Sequence, residues 1–400
     1  MKILYISALI SSRTTEHLAN YTQANVHNAV QKFSKLIANG FVKNGASVIN
    51  IASLPISRAT SKKLWWNIPS DNENGMEYRY SPFVNLPGVR HLFLFLYSFF
   101  LTLLWGIKEK RNKFLVCDVL NISLCMGGLL ASKIIGLKSM GIMTDMPGLM
   151  VGGSNKKKKA GIISYINKSY LSSFSCYVFL TEQMNTVINK KQRPYIVMEG
   201  LVDENMADVF APKSKIKTDK KVVLYAGTLH ERYGLKTLVE AFMLVKDEKA
   251  ELWLYGNGPF VPELKEYCKQ NDRIIYHGVV PNDQVVDAEL AATLLVNPRP
   301  TTEEFTLYSF PSKNMEYMVS GTPVLTTCLP GMPSEYHPHV YLFNDETVEG
   351  YAETLNMLLE KSKENLQAKG LSAKQFVLEK KNNVVQTSRM IKLAEHTYKS

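Results

Sequence analysis

Four hundred residues allow two domains at about 100 to 200 residues each and a sizeable core, which excludes a disulfide-stapled miniprotein. With 46% hydrophobic and 21% charged residues, 17 Pro and 23 Gly, the chain is neither disordered nor collagenous. The net charge of +11 is unevenly held: residues 1–200 carry 24 Lys and Arg against 9 Asp and Glu, whereas residues 201–400 carry 23 against 27. A basic half beside a mildly acidic one predicts that the first faces something anionic: a nucleic acid, a phospholipid surface or a phosphorylated substrate.

The N-terminus, MKILYISALI, lacks the basic region, long apolar core and cleavage site of a signal peptide. It reads as a first buried strand, so export is not expected. Five cysteines (Cys117, Cys125, Cys176, Cys268, Cys328) stand without CxxC spacing, against a disulfide framework or a zinc site and in favour of a reducing, cytoplasmic setting. Strands are predicted at Lys2–Ala8, Ser47–Ala52, Phe114–Leu120, Ser139–Thr144, Cys176–Leu180 and Tyr195–Met198. In the second half they are Val222–Gly227, Glu251–Tyr255, Arg273–His277, Ala292–Asn297 and Pro323–Thr327, with helix-period segments such as Lys236–Val245 and Gln284–Leu290 between them. Continuous apolar strands alternating with helices are the pattern of parallel α/β units covered on both faces. The expected class is therefore α/β, with two doubly wound Rossmann-like domains. The proposed boundaries are 1–200, a polar and basic linker at 201–221, a second domain at 222–370, and a charged helical segment at 371–400.

His91–Ile107 (HLFLFLYSFFLTLLWGI) is 17 residues long and as a helix would span ~25 Å, short of the ~30 Å hydrocarbon core. Its flanks, Arg90, Lys108, Lys110, Arg111 and Lys113, are basic. His91, Ser98, Thr102 and Glu109 form one polar stripe, their spacings being near whole turns. Three readings stand: a helix packed on the sheet, an interfacial helix on anionic lipid, and a membrane span. Lys156–Lys159, after Gly152-Gly153, reads as a solvated loop, with membrane or acceptor contact as its sharper alternative.

The most informative segment is NPRPTTEEFTLYSFPSKNMEYMVSGTPVLTT, Asn297–Thr327. Pro311 suits the first turn of a helix, Ser309 or Phe310 its cap, and Gly321 with Pro323 its end. Free amides near Ser312 and Lys313 would form an anion site to which Lys313 adds a full charge. Glu316, a little over one turn on, is placed to accept hydrogen bonds from vicinal hydroxyls such as those of a ribose. Phosphate at the helix tip and ribose one turn down describe a nucleotide.

SFPSKNMEYMVSGTPV resembles the donor-binding segment of GT-B glycosyltransferases of family 4, in particular the bacterial surface-polysaccharide branch. YAGTLHERYGLKTLVEAF, LWLYGNGP and IIYHGVVPNDQVVD extend the resemblance over nearly all of the second half; in the first half it rests on MKILYIS, GIMTDMP and FLTEQMN. The resemblance implies two domains facing a central cleft, with a C-terminal helix crossing back to the first. It implies a metal-independent, retaining transfer of a sugar from a nucleotide-sugar, UDP-sugar by default. The acceptor would be a saccharide or a polyprenyl-diphosphate-linked saccharide in cell-surface polysaccharide or glycolipid synthesis. No separate cofactor is implied, the nucleotide-sugar being a substrate, and no DxD pair appears where a metal-dependent transferase would need one.

Carried over by position, Glu316 matches the ribose-binding member of the family's two-glutamate motif, and Tyr308 replaces the first glutamate. The loop after the second domain's first strand, with Gly227, usually offers an Arg and a Lys to the diphosphate; here those places hold Thr228 and Tyr233, and Arg232 is one residue away. Lys313, Arg232 and Arg299 are inferred to take over that charge, beside Ser309 and Ser312. Thr144-Asp145 stands for the family's His-Asp pair, which leaves the polar role at the reaction centre to Asp145 or to backbone groups. Ser11 and Ser12 would face the leaving phosphates through their amides.

Each assignment has a plainer alternative. Lys313 and Glu316 could be a surface ion pair, Arg232 a loop charge, Asp145 a cap, His230 a solvated loop histidine, and YGNGP a tight strand-to-helix turn. As a whole, a sugar-nucleotide epimerase of the same fold would need carboxylates and histidines for proton abstraction, a set not seen here. A nucleic-acid binder would show a recognition helix, finger or RNP motif, and none is present. A non-catalytic nucleotide-sugar-binding scaffold stays open because of Tyr308 and Thr144. The anionic partner expected of the first half is a membrane surface met by residues 90–113, which makes the protein cytoplasmic and peripheral at the inner face of the membrane.

Overall fold

The computed structural model describes residues 1–22, 29–146, 169–206 and 219–399. It divides into two compact units, Met1–Met198 with Asn383–Ser400, and Glu199–Asn382. Gly152, Gly153 and Lys156–Lys159 fall outside the described residues.

The first unit holds the strands β1 (Lys2–Ile6), β2 (Ser47–Ala52), β3 (Trp65–Trp66), β4 (Asp71–Glu73), β5 (Met76–Tyr80), β6 (Phe83–Val84), β7 (Lys113–Asp118), β8 (Ser139–Met143), β9 (Cys176–Phe179) and β10 (Tyr195–Val197). Eight of them form one sheet in the order β10-β9-β8-β7-β1-β2-β5-β4, parallel except for the β4–β5 hairpin, and β3 pairs with β6. Every strand expected in this half is present. The β4–β5 hairpin and the β3–β6 pair were not expected, because their two- to five-residue strands carry no long apolar run. The helices here include α1 (Ser12–Tyr21), α2 (Ala29–Lys43), α3 (Val89–Lys108) and α4 (Ile122–Ile134).

The second unit holds β11 (Lys221–Ala226), β12 (Ala250–Tyr255), β13 (Ile274–Gly278), β14 (Leu294–Asn297), β15 (Val324–Thr326) and β16 (Tyr341–Leu342). They form an all-parallel sheet in the order β13-β12-β11-β14-β15-β16. Counted along this unit alone, that is 3-2-1-4-5-6, the Rossmann order, whose reversal point lies between β11 and β14. Core side chains cover both faces of the sheet: Leu235, Leu238 and Phe242 on one, Met315, Tyr317 and Met318 on the other. Burial on both sides is why these strands read as continuous apolar runs.

Two boundaries differ from the sequence expectation. Leu201 and Val202 are buried, and Val202 N–H donates to the Lys381 carbonyl at 3.0 Å, so the polar linker expected from residue 201 begins instead as core of the second unit; residues 207–218 lie outside the described residues. The expected C-terminal segment is two helices. Lys363–Lys380 packs on the helix Ser312–Ser320, whereas Asn383–Lys399 packs on α2 and so belongs to the first unit. Gly40 permits that second contact, since a Cβ there would overlap the Asn383 carbonyl. Asn44 Nδ2 fixes it by donating to the Val384 carbonyl at 2.9 Å.

The apolar stretch is the 20-residue helix α3, long and apolar enough by composition to cross a membrane. It is nevertheless a crossover helix of the first unit, between β6 and β7, packed along α4. The middle of its polar stripe points inward, with Ser98 and Thr102 both buried, whereas His91 is exposed and Glu109 half-buried. Of its basic flanks, Arg90 turns into the fold, donating to the Leu54 carbonyl and Ser53 Oγ, both at 2.7 Å. Lys113 donates to the Gly106 carbonyl.

Candidate functional site

At the reversal point of the second sheet, β11 ends in Gly227-Thr228 and β14 ends in Pro298-Arg299-Pro300. Strand-end loops at such a point are where α/β sheets hold ligands. The loop after β11 is shaped by glycine. Gly234 has φ +77°, and a Cβ there would overlap the Pro298 carbonyl oxygen. A Cβ on Gly256 would overlap Gly227 O, and one on Gly258 would overlap Leu229 O. The glycines of YGNGP thus let the next strand-to-helix turn press against Gly227–Leu229, and the plainer reading of that motif holds.

Arg299 and Arg232 meet at one ring. The Arg299 guanidinium lies 4.9 Å from the Tyr233 ring centroid and 5.4 Å from that of Phe305, and the Arg232 guanidinium lies 5.3 Å from Phe305. Burial lowers the Arg299 pKa, an effect that the nearby Tyr233 and Tyr225 hydroxyls oppose. Its Nε is buried without a hydrogen-bond partner among the described residues. Arg232 is held by Glu303, its Nε donating to the carboxylate at 2.9 Å. His230 caps the short helix Glu231–Tyr233 by accepting from Arg232 N–H at 3.2 Å, so it is a local structural group rather than a solvated one. Thr228 is exposed, and its carbonyl accepts from Tyr225 Oη at 3.0 Å.

The helix Ser312–Ser320 begins at Pro311, with no side-chain cap. Ser309, expected as a cap, instead donates to the Phe305 carbonyl at 3.0 Å, and Tyr308 closes the short helix Glu304–Tyr308. An uncapped first turn leaves the amides of Ser312 and Lys313 presented as an anion site. Two buried groups seat this helix. Tyr317 Oη accepts from Ala226 N–H at 2.8 Å and donates to Ala226 O at 3.2 Å, and Asn297 Nδ2 donates to Asn314 Oδ1 at 2.6 Å. They tie the helix to the ends of β11 and β14. The Lys313–Glu316 ion pair is present at 3.6 Å between partly exposed side chains; a pair of that length and exposure is worth little, so a ligand displaces it at small cost.

In the first unit, Thr144 and Asp145 follow β8, and burial raises the Asp145 pKa. The neighbouring strand β7 ends in Asp118, which is 2% exposed. Burial pushes its pKa to about 6, with the Asp145 charge adding to the rise and the Leu120 amide and Asn121 side chain opposing it. The expected role of Ser11 and Ser12 is revised. Ser11 N–H donates to Tyr80 Oη at 3.0 Å, and Ser12 N–H donates to Glu73 at 2.7 Å. Ser11 Oγ donates to Asp71 and Ser12 Oγ to Glu73, each at 2.7 Å. The positive tip of α1 is therefore occupied by the protein's own carboxylates, which repel a phosphate.

Residues 220–361 match the family model described as Glycosyl transferases group 1. The second unit is thus similar to the group 1 glycosyltransferases over most of its length. No curated protein sequence matches it. Sucrose-phosphate synthase from Thermosynechococcus elongatus is similar in fold at 15% identity and TM-score 0.67, over 100% of this chain and 99% of that one. HepE from Anabaena, solved with UDP, is similar at 14% and 0.61, over 99% and 100%. The lipopolysaccharide outer core galactosyltransferase WaaB is similar at 14% and 0.60, over 99% of each chain. These likenesses carry the GT-B fold.

At this edge of the second sheet, the structure brings Arg232 and Arg299 together and seats Lys313 and Glu316 on one helix. Phe305 and Glu303, which organise the arginines, were missed; one aromatic and one acid in a loop carry no periodic signal. Asp118 was missed too, although a lone carboxylate ending the apolar run Phe114–Leu120 is a signal, because burying such a group is costly.

Proposed function

We propose that the protein is a nucleotide-sugar-dependent glycosyltransferase that moves a sugar from a UDP-sugar to a saccharide or lipid-linked saccharide acceptor, in bacterial cell-surface polysaccharide or glycolipid synthesis, with retention of configuration. The observation that carries the donor half of this reading is the uncapped helix Ser312–Ser320, with Lys313 in its first turn and Glu316 on the next. The diphosphate takes the first-turn amides and the Lys313 ammonium. Arg299 and Arg232, resting on Phe305, add charge where the bond to the sugar breaks. Such preorganised donors act on charge that develops in the transition state, each worth about a hundred- to a thousandfold in rate. Glu316 accepts from the ribose hydroxyls. In the first unit, Asp145 is the polar group offered to the acceptor. Five free thiols support a reducing, cytoplasmic setting.

Isothermal titration against UDP, GDP, ADP and their sugars tests the reading. We expect UDP compounds to bind most tightly and Lys313→Ala to weaken all of them. No binding by any nucleotide-sugar would remove the donor assignment.

A further inference from the structure

The pair of helices α3 and α4 buries small and hydroxyl side chains at its seam and leaves a row of large apolar side chains outside. Along α3 the buried positions include Ser98, Thr102 and Gly106; Gly128 of α4 lies against the first two, and Gly127 lies against the backbone of Phe95 and Phe99. A Cβ on Gly127 would overlap the Phe95 carbonyl, and one on Gly128 would lie 3.1 Å from Ser98 Oγ and 3.3 Å from Thr102 Oγ1. Both hydroxyls are buried without a hydrogen-bond partner among the described residues. Small residues bring the two backbones together, the packing that serves helices whose outer faces lie in lipid.

Leu94 and Trp105 are buried with them, but a row of other large apolar side chains goes outward. Leu92, Leu96, Phe100, Leu104 and Ile107 are exposed by 57%, 41%, 54%, 66% and 66%. Their spacings of four, four, four and three place them on one side of the helix. Ile134 of α4 is 62% exposed. It belongs to the same end of the surface, because a Cβ on Gly106 would overlap Ile135. Lone exposed leucines are ordinary, but an aligned row at the outer face of a helix marks a contact surface.

What covers it is indicated by charge. The end of the row carries Lys108, Lys110, Arg111 and Lys133, all exposed, while the acid among them, Glu109, is paired with Lys2. The first 200 residues hold 24 basic against 9 acidic side chains. An apolar stripe ending in a cationic cluster complements the surface of an anionic bilayer, acyl chains under the stripe and headgroups at the lysines. We propose that the outer face of α3, with the end of α4, seats the first unit on an anionic phospholipid bilayer. The helix lies in the interface as part of the folded unit and does not span the membrane. The inference is independent of the donor assignment, and its test uses no activity.

The full chain is sedimented with phosphatidylcholine vesicles with and without phosphatidylglycerol. We expect binding to the anionic vesicles that weakens as salt rises, and little binding to the neutral ones. Leu104→Glu with Ile107→Glu should reduce binding at least about tenfold, with far-UV circular dichroism and melting temperature retained because both positions face water. Lys108→Glu with Lys110→Glu is the second variant; it should weaken binding already at low salt and flatten its dependence on salt. Leu104→Cys carrying an environment-sensitive fluorophore should shift to the blue on vesicles. Absence of binding at low salt overturns the proposal, as does undiminished binding by both double variants. A Leu104-dependent dimer in sedimentation velocity, without vesicle binding, would assign the face to a second copy of the chain and overturn it equally.

Discussion

Lys381 pairs through its ammonium with Glu199, both side chains almost wholly buried, and the same ammonium reaches Glu335 at 2.6 Å. Tyr336 Oη donates to Glu199 at 2.5 Å, and the Lys381 ammonium lies 5.0 Å from the Tyr336 ring centroid. The pair joins the first residue of the second unit to one near its last, beside the hydrogen bond from Val202 to the Lys381 carbonyl. Removing one partner leaves a buried charge uncompensated, which costs about 3–5 kcal/mol. Lys381→Met should therefore lower stability by that order in denaturant titration, and adding Glu199→Gln should restore part of it. Equal losses in the single and double variants would show that the pair is not what holds these segments.

Asp118 should give the protein an inverted pH response. Its folded-state pKa is raised to about 6, so between the ordinary aspartate value and that figure the folded state binds more protons than the unfolded one. Stability from this group then falls as pH rises through the window and stays low above it. Asp118→Asn keeps an acceptor for the Leu120 amide and removes the buried charge. It should stabilise the protein at pH 7 by up to about 3 kcal/mol and flatten the slope below pH 6. Unfolding curves at several pH values decide this, and a destabilised variant at pH 7 would contradict it.

Glu316 should set sugar discrimination within the nucleotide. Glu316→Gln is expected to weaken UDP more than 2′-deoxy-UDP, bringing the two affinities together by roughly tenfold, because a charged acceptor contributes about 1.5–3 kcal/mol to each hydrogen bond it receives. Lys313→Ala should weaken both equally. Calorimetric titration with the two ligands separates the effects.

Phe305 should matter although it carries no charge. Its ring supports both the Arg232 and Arg299 guanidiniums, each contact being worth about 0.5–1 kcal/mol or more. Phe305→Leu should weaken nucleotide binding several-fold, while Phe305→Tyr, which keeps the ring, should leave it nearly unchanged. If leucine binds as well as phenylalanine, the ring is only packing.

The β11–β16 sheet and the helix at Ser312–Ser320 were legible because continuous apolar strands and a Pro-first, Gly-last helix are local patterns. The candidate donor residues Lys313 and Glu316 were legible with them, since helical spacing alone relates the two. Ser11 and Ser12 misled for the opposite reason: their partners Asp71, Glu73 and Tyr80 lie some sixty residues away on a hairpin too short to announce itself. The linker expected at residue 201 misled likewise, its first residues being buried through contact with Lys381.

The uneven charge, the class of fold and the stripe of Ser98 and Thr102 along an apolar helix follow from residue types and their spacing, which act over one or two turns of chain. Which side of that stripe faces inward does not. Periodicity shows that two faces differ, and the glycines of α4, brought alongside by the parallel crossover, decide that Ser98 and Thr102 are buried and that Leu92, Leu96 and Leu104 are left outside. Tertiary structure also decided that Arg232 and Arg299 share one ring, because contacts between loops at neighbouring strand ends depend on strand order, which no local pattern encodes.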